Sequence, residues 1–215
     1  MMLSKSDYLR YRQCQKYLWL HKKRKDLLEE VSESQQAIFD QGYEVESYAQ
    51  KLFNNGKTVS NDIFQAEKET KQLVQEGADI IFQATAIVGQ LLIRADIFLY
   101  NRETGSWDIY EVKSSTEVIE EHLFDLCFQK IVFEKAGYHI GKTFLVHINK
   151  DYVRNGDIKA EELLTMEDVT AEVENLKNTI EAEISNALKL IEKQAEPQVR
   201  IIKQCTTPYE CPFIA

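Results

Sequence analysis

The sequence lacks several features that would place the chain in a common functional class. None of its apolar runs approaches the ~18 residues that are needed to cross a bilayer. Its first residues contain no apolar segment of the kind found in signal peptides. We therefore expect a cytoplasmic protein that does not enter a membrane. No internal repeat or low-complexity tract is present, so a repeat architecture is not indicated.

Histidine and cysteine are scarce. The chain has four histidines, and none stands in metal-ligand spacing with another, which argues against a histidine-based zinc site. It also has four cysteines. In a cytoplasmic chain they indicate free thiols or metal ligands rather than disulfides.

Basic residues are outnumbered by acidic ones, 26 to 35, for a net charge of -9. This balance opposes binding to nucleic acids, because contacts with phosphates supply most of the affinity there. However, residues 1–25 contain eight basic residues and one acidic residue (8 - 1 = +7), which leaves 18 - 34 = -16 for the remainder. This basic segment indicates either a patch that follows DNA or an ordinary solvated helix face.

The 215 residues, 44% of them hydrophobic, can bury a substantial core. We expect one domain over 1–215, which is either complete or a piece of a longer protein. The hydrophobic periodicity predicts an α/β fold with a mixed central sheet of about four to five strands flanked by helices. The predicted helices cover about 4–21, 35–54, 62–77, 117–135 and 165–195, and the predicted strands cover about 79–88, 90–100, 107–113 and 143–149.

Three ionisable residues fall on two adjacent strands of a predicted hairpin. Asp96 lies among apolar neighbours in the first strand, and Glu111 and Lys113 end the second. Side chains alternate along a strand, so Glu111 and Lys113 share one face. Buried carboxylates are costly unless they are paired or bound to a cation. The pattern therefore indicates either a Mg²⁺ site or a salt-bridge network that holds the hairpin in register.

The sequence around these residues is Ile-Arg-Ala-Asp96 and then Tyr-Glu111-Val-Lys113-Ser-Ser-Thr. It resembles the PD-(D/E)XK nuclease superfamily, in its RecB-like branch that includes the CRISPR-associated exonucleases, with Ala95 in place of the usual proline. The resemblance implies a restriction-endonuclease-like core and a metal-dependent deoxyribonuclease, in particular an exonuclease. It also implies that Asp96 and Glu111 bind Mg²⁺ or Mn²⁺ and that Lys113 orients the attacking water.

Two further residues match the same family. Glu46 follows Gly42 on a predicted helix, where relatives place another metal-site residue and some have a histidine that this chain lacks. Gln129 comes four residues before Phe133, and the family usually has a tyrosine at that second position. The resemblance makes Glu46 a metal ligand and Gln129 a catalytic residue that positions the substrate. Each is equally compatible with an exposed polar position on a helix.

Three cysteines suggest a second cofactor. Several RecB-like nucleases hold a 4Fe-4S cluster through one cysteine near the N-terminus and three near the C-terminus, and Cys14, Cys205 and Cys211 resemble three of those four. The fourth ligand is missing from this chain, which ends at Ala215. The chain is then a fragment, or the cluster is incomplete or lost. Ordinary thiols are the alternative.

The resemblance also implies partners. The expected substrate is DNA, single-stranded or with free ends, and the expected protein partners belong to DNA repair or to CRISPR systems. The alternative is a catalytically silent module of the same fold that binds DNA or a partner protein. The acidic net charge, Phe133 and the missing helical histidine favour this alternative, whereas the intact Asp96, Glu111 and Lys113 oppose it.

Colour provides a direct test of the cysteine prediction. If the three cysteines hold a cluster, protein purified without oxygen will be brown and will absorb in the sulfur-to-iron charge-transfer region. Replacing Cys205 with serine should remove this absorbance, because a thiolate ligand is lost. Colourless protein from the same preparation would show that the cysteines are ordinary thiols.

Overall fold

The computed structural model describes residues 1–28, 32–200, 202–207 and 210–213. It has a mixed α/β fold in which a seven-stranded sheet is flanked by helices. The elements in chain order are β1 Leu3–Ser4, α1 Lys5–Gln13, α2 Gln15–Lys23, α3 Glu33–Lys51, β2 Lys57–Thr58, α4 Ile63–Gln75, β3 Ile80–Val88, β4 Leu91–Asn101, β5 Ser106–Lys113, α5 Glu120–Lys135, β6 Ile140–Ile148, α6 Ala160–Leu163, β7 Leu164–Asp168 and α7 Thr170–Glu192, with short 3-10 helices at Lys25–Leu27 and Lys203–Cys205.

The sheet is mixed in the way that the connections between strands require. Its order is β2-β3-β4-β5-β6-β7, and β1 pairs separately with β4. Strands β3, β4 and β5 form the antiparallel meander that their short connections predict. Strand β6 then joins β5 in parallel after the crossover helix α5, and β7 is antiparallel to β6.

The prediction of four to five strands is wrong, because the sheet has seven. The strands that periodicity missed are β1, β2 and β7, which are two, two and five residues long. The two-residue strands span too few residues for an alternating pattern, and β7 shows no alternation because its first residue alone is buried. Strand β7 also occupies the start of a predicted helix, so α7 begins at Thr170 instead of residue 165.

The predicted first helix is interrupted. Cys14 has extended backbone angles (φ -165°, ψ 127°), which separate α1 from α2. Helix α1 begins with a capping box, in which the Ser4 side chain accepts from the Asp7 N–H and the Asp7 carboxylate accepts from the Ser4 N–H. Cys14 is thus both the C-cap of α1 and the N-cap of α2.

Helix α5 fixes one face of the sheet. It is buried along most of its length, and Phe133 on α5 stacks on Phe98 of β4 with ring centroids 4.3 Å apart. Phe98 also stacks on Trp107 of β5 at 4.4 Å. Phe133, where the family usually has tyrosine, is therefore a core residue. In the described part of the chain, no helix is both long and apolar enough to span a membrane.

The close approach of β6 to β5 leaves no room for a side chain at Gly141. An alanine Cβ there would overlap Ser106 Oγ and lie 2.7 Å from Asp108 Oδ1, which already accepts the Lys142 N–H. We predict that Gly141→Ala lowers the free energy of unfolding by about 1–3 kcal/mol, measured by urea denaturation.

Gly42, in the interior of α3, provides a matched control. Its added Cβ would meet nothing within 4 Å. Gly42→Ala should stabilise the protein by about 0.5–1 kcal/mol, because alanine is the better helix former. Equal effects of the two substitutions would contradict the described packing of β6 on β5.

Candidate functional site

Asp96 lies at the fork where β4 and β5 separate. The main-chain pairing of these strands runs from Asn101–Ser106 to Ile97–Tyr110 and stops there. One residue beyond the last pair, Asp96 Oδ2 accepts the Val112 N–H at 2.8 Å. A carboxylate thus replaces a main-chain carbonyl, while β5 continues its parallel pairing with β6 as far as Lys113. The sheet opens beside Asp96.

Glu111 is the most enclosed carboxylate at the fork, with 2% of its surface exposed. Its Oε1 accepts hydrogen bonds from Lys113 Nζ and Lys5 Nζ, each at 2.7 Å, and its Oε2 accepts one from Gln129 Nε2 at 2.7 Å. Both oxygens therefore have donors, and two of the three donors are charged. Glu111 is fixed in position as an ionised carboxylate.

Helix α5 contributes Asp125 and Gln129, which are one turn apart and share a face. Asp125 Oδ2 binds Lys113 Nζ at 2.5 Å and lies 3.9 Å from Lys5 Nζ. Gln129 Nε2 also lies 3.3 Å from Asp125 Oδ1. Gln129 Oε1 is buried and has no hydrogen-bond partner among the described residues. This part of α5 therefore holds Glu111 through Gln129 and Lys113 through Asp125.

Helix α3 contributes Glu46 through Gln83 of β3. Gln83 Nε2 donates to Glu46 Oε1 and lies 3.4 Å from Asp96 Oδ1, so one amide nitrogen joins the two carboxylates. Gln50 Nε2 also donates to Glu46 Oε1, at 2.8 Å. Gln83 has φ +59°, a left-handed conformation that costs a non-glycine residue about 1–3 kcal/mol. This strained residue and Asp96 lie between the paired positions Phe82–Ile97 and Ala84–Ala95, at an interruption of the β3–β4 ladder.

We refer to Glu46, Asp96, Glu111 and Asp125 as the acidic cluster. Three of its members have pKa values that are shifted in opposite directions. Burial alone would raise the pKa of Glu111, but the ammonium groups of Lys113 and Lys5 outweigh it and hold that pKa well below its usual range. Burial raises the pKa of Asp96 to about 8, and the charge of Glu111 adds to this. Burial also raises the pKa of Glu46, against the hydrogen bonds from Gln83.

The two interpretations of the hairpin acids can now be compared with the geometry. Glu111 and Lys113 do form an ion pair, together with Lys5 and Asp125, as the salt-bridge interpretation requires. Asp96 is different, since within the described residues its hydrogen bonds come from the Val112 N–H and the Gln83 amide. A salt-bridge network therefore accounts for Glu111 and Lys113 but leaves Asp96 unexplained.

The donor chemistry of the acidic cluster fits a hard cation. Carboxylate oxygens are the ligands that Mg²⁺ and Mn²⁺ prefer, and the raised pKa of Asp96 reflects buried carboxylates without enough positive charge. Across residues 1–28, 32–200, 202–207 and 210–213, however, no group of three or more His, Cys, Asp or Glu residues has the arrangement of a metal site. Instead, the nitrogens of Lys5 and Gln83 bind these carboxylates. Metal binding here stays a prediction.

The structure brings together all five residues of the predicted acidic site, but sequence reasoning missed three of their neighbours. Lys5 reaches Glu111 across 106 positions of sequence, through a two-residue strand. Gln83 lies in an apolar strand, and no sequence motif around it indicates a functional residue. Asp125 did have a signal, because it precedes Gln129 by one helical turn.

The basic N-terminal segment is mostly engaged within the protein. Six of its eight basic side chains form ion pairs, several of them with acids far along the chain. Arg12 also lies over the Phe124 ring, 3.4 Å from its centroid. These contacts leave few of its charges for a patch on DNA. The pairs are Lys5–Glu111, Arg10–Asp7, Arg12–Glu183, Lys16–Glu196, Lys22–Asp7 and Arg24–Asp26.

The predicted cluster cysteines come from both ends of the chain. The Cys211 N–H donates to the Cys205 carbonyl at 2.8 Å. Burial raises the pKa of the Cys211 thiol, and the nearby Cys14 and Cys205 add to this. Cys127 belongs to the core, where its thiol donates to the Val173 carbonyl at 3.3 Å. Cys205 and Cys211 are thus joined through the main chain, but within the described residues the three cysteines do not form a metal-site arrangement, and their binding of an iron-sulfur cluster stays a prediction.

Comparison with known proteins assigns no family to the chain. No family model and no curated protein matches it. Fourteen chains of solved structures match. One of them, titled "Crystal structure of SSO0001", is 16% identical in a match that covers 92% of this chain and 79% of that chain, with a TM-score of 0.39. The site is therefore interpreted from its own geometry.

The pKa of Asp96 predicts how stability depends on pH without divalent ions. Folding raises this pKa from 3.8 to about 8, so the folded state binds the proton more tightly. The protonated Asp96 therefore contributes to the free energy of unfolding. This contribution is complete below the pKa of Asp96 in the unfolded state and is lost as pH rises through its pKa in the folded state. In EDTA, the free energy of unfolding of the wild type should fall between about pH 4 and about pH 8.

Asp96→Asn should make this pH dependence shallower, because the amide stays neutral throughout. Asp151→Asn, at an exposed position, should leave the wild-type slope unchanged. Urea denaturation at several pH values measures all three proteins. An Asp96→Asn slope equal to that of the wild type would show that Asp96 is not the titrating group.

Proposed function

We propose that the protein is a divalent-metal-dependent DNA nuclease, an exonuclease that hydrolyses phosphodiester bonds. The observation that carries the proposal is the convergence of Asp96, Glu111 and Lys113 at the opening between β4 and β5. Glu46 and Gln129 join this opening from helices on either side. These five residues come from four separate elements, α3, β4, β5 and α5, so their convergence supports a common site.

The arrangement of elements supports a restriction-endonuclease-like core. The meander β3-β4-β5 carries the acids, α5 crosses over it, and β6 adds in parallel beside β5. Helix α3 precedes this core and supplies Glu46. Under this proposal the additional strands β1, β2 and β7 are extensions of the sheet.

Asp96 and Glu111, supported by Glu46, would hold Mg²⁺ or Mn²⁺. When bound, such an ion polarises the phosphodiester and stabilises charge on the leaving oxygen. The chain's own contribution is the placement of the ligands. Glu111 is held by three donors and Asp96 by the Val112 N–H, so neither has to be ordered when substrate arrives.

Lys113 acts as a cation and not as a base. Burial alone would lower its pKa, but Asp125 and Glu111 raise the pKa above its usual value and keep the ammonium charged. A charged ammonium can donate a hydrogen bond to the attacking water and stabilise negative charge on the phosphate. Gln129 contributes by holding Glu111 through Nε2, which makes it a positioning residue.

The proposed substrate is DNA, single-stranded or with free ends, and the proposed protein partners belong to DNA repair or CRISPR systems in the cytoplasm. Solvent has little access to the inner residues of the site, since Glu111, Asp125 and Gln129 are each 2% exposed or less. Lys113 and Lys5 retain 20% and 24% of their side-chain exposure. A phosphate that approaches the site would therefore meet ammonium groups first.

One observation favours a catalytically silent module of the same fold. Glu111 already has two ammonium partners, so it is neutralised without a metal ion. A domain that only binds DNA or a partner protein could keep this network for stability alone. Asp96 opposes this alternative, because it is buried with a raised pKa and its hydrogen-bond donors among the described residues, the Val112 N–H and the Gln83 amide, carry no charge to offset that burial.

Activity on end-labelled single-stranded DNA with Mn²⁺ tests the nuclease. Asp96→Asn, Glu111→Gln and Lys113→Ala should each lower the rate by about a hundredfold or more, because each removes a group that acts in the transition state. Glu44→Gln, at an exposed position on the same helix as Glu46, should retain the wild-type rate. Full activity of Lys113→Ala would contradict the assignment.

A further inference from the structure

Lys5 contacts the acidic cluster from the start of the first helix. It is the first residue of α1 and follows β1, which pairs with β4, the strand that carries Asp96. Its ammonium lies 2.7 Å from Glu111 Oε1 and 3.9 Å from Asp125 Oδ2. Lys5 thus enters the site from an element that belongs to neither the hairpin nor α5.

The charge of Lys5 acts on all four carboxylates of the acidic cluster. It interacts with Asp125 and Glu111 directly, and it lowers the pKa values of Asp96 and Glu46 against the effect of burial. The Gln83 amide, which joins Glu46 to Asp96, is neutral. Lys5 therefore offsets repulsion among all four carboxylates, whereas Lys113 bridges two of them, Glu111 and Asp125.

Lys5 and Lys113 differ in how firmly they are held. Lys113 Nζ bridges Glu111 and Asp125 at 2.7 and 2.5 Å, so it has two close anionic partners. Lys5 has one close partner, Glu111, and its contact with Asp125 is at 3.9 Å. Its side chain is 24% exposed. Of the two ammonium groups, Lys5 can turn into solvent at the lower cost.

We propose that Lys5 is the resident cation of the acidic cluster and competes with a divalent ion for Glu111. When Mg²⁺ or Mn²⁺ binds, the Lys5 ammonium leaves Glu111, whereas Lys113 stays with Asp125. The inference rests on the proposed function for the identity of the ion. It adds that the first helix takes part in metal binding. It also explains why the nitrogens of Lys5 and Gln83 hold the carboxylates, which among the described residues do not have the arrangement of a metal site.

Manganese binding without substrate tests the competition directly. Free Mn²⁺ is measured by electron paramagnetic resonance, at constant ionic strength, for the wild type and for Lys5→Met. We expect Lys5→Met to bind Mn²⁺ about tenfold tighter or more, since removing a positive charge close to a divalent ion removes a repulsion. Lys16→Met is the matched control with the same charge change, because Lys16 pairs with Glu196 away from the cluster, and its affinity should equal that of the wild type.

Thermal unfolding provides a second measurement on the same proteins. In EDTA, Lys5→Met should unfold at a lower temperature than the wild type, because Glu111 loses a buried counter-charge. Saturating Mn²⁺ should narrow this difference, since the ion replaces the lost charge and binds the variant more tightly. If Lys5→Met does not fold in EDTA, Lys5→Gln keeps a donor near Glu111 without the charge and should show the same tighter binding.

The outcomes separate this inference from the proposed function. If the wild type binds Mn²⁺ and the Lys5 variants bind it equally or more weakly, the competition is overturned and the nuclease proposal stands. If only the Lys5 variants bind Mn²⁺, the competition is supported. If none of the proteins binds Mn²⁺ at millimolar concentration, both proposals are overturned and the silent module is favoured.

Discussion

The site depends on one hydrogen bond, from the Val112 N–H to Asp96 Oδ2. Up to Ile97–Tyr110 the hairpin is an ordinary ladder, and one residue later a side chain takes the place of a main-chain partner. Because the Val112 N–H is satisfied by the carboxylate, β5 can leave β4 while it remains paired with β6. A conventional ladder here would close the opening in which Glu111 and Lys113 lie. Sheet geometry and site chemistry therefore share a single interaction.

The charge balance of the acidic cluster explains its unequal pKa values. Four carboxylates and two ammonium groups leave 2 - 4 = -2 if every group is ionised. The protein can offset part of this by keeping a proton on Asp96, and Lys5 spreads its charge over the remaining acids. A divalent cation that displaced Lys5 would offset two of the three charges that then remain (1 - 4 = -3), and it would favour release of the Asp96 proton. A proton on Asp96, the Lys5 ammonium and a metal ion can each reduce the repulsion among the buried carboxylates of the acidic cluster.

Local sequence pattern was sufficient for the centre of the site and insufficient for its surroundings. Strand alternation places Glu111 and Lys113 on one face, and a two-strand hairpin brings Asp96 beside them, so these contacts follow from short-range rules. Lys5 depends on a two-residue strand that no periodicity can reveal. Gln83 depends on a positive φ in the middle of a strand, which residue type alone does not indicate. Lys5 could not be predicted because its contact with Glu111 is long-range, and Gln83 could not be predicted because its backbone is strained.

The segregation of charge along the sequence is better explained by folding than by substrate binding. Arg12 and Lys16 pair with Glu183 and Glu196, which fastens the first helices to α7 and the segment after it, and Lys5 fastens them to Glu111. The charges of Arg12 and Lys16 are thus largely neutralised within the fold, so the net charge of -9 remains an obstacle to DNA binding. If the protein acts on DNA, a bound divalent ion has to reverse the local potential as well as assist the chemistry. Substrate affinity and catalysis would then depend on the same ion. Both would therefore depend on whether the Lys5 ammonium leaves the Glu111 carboxylate.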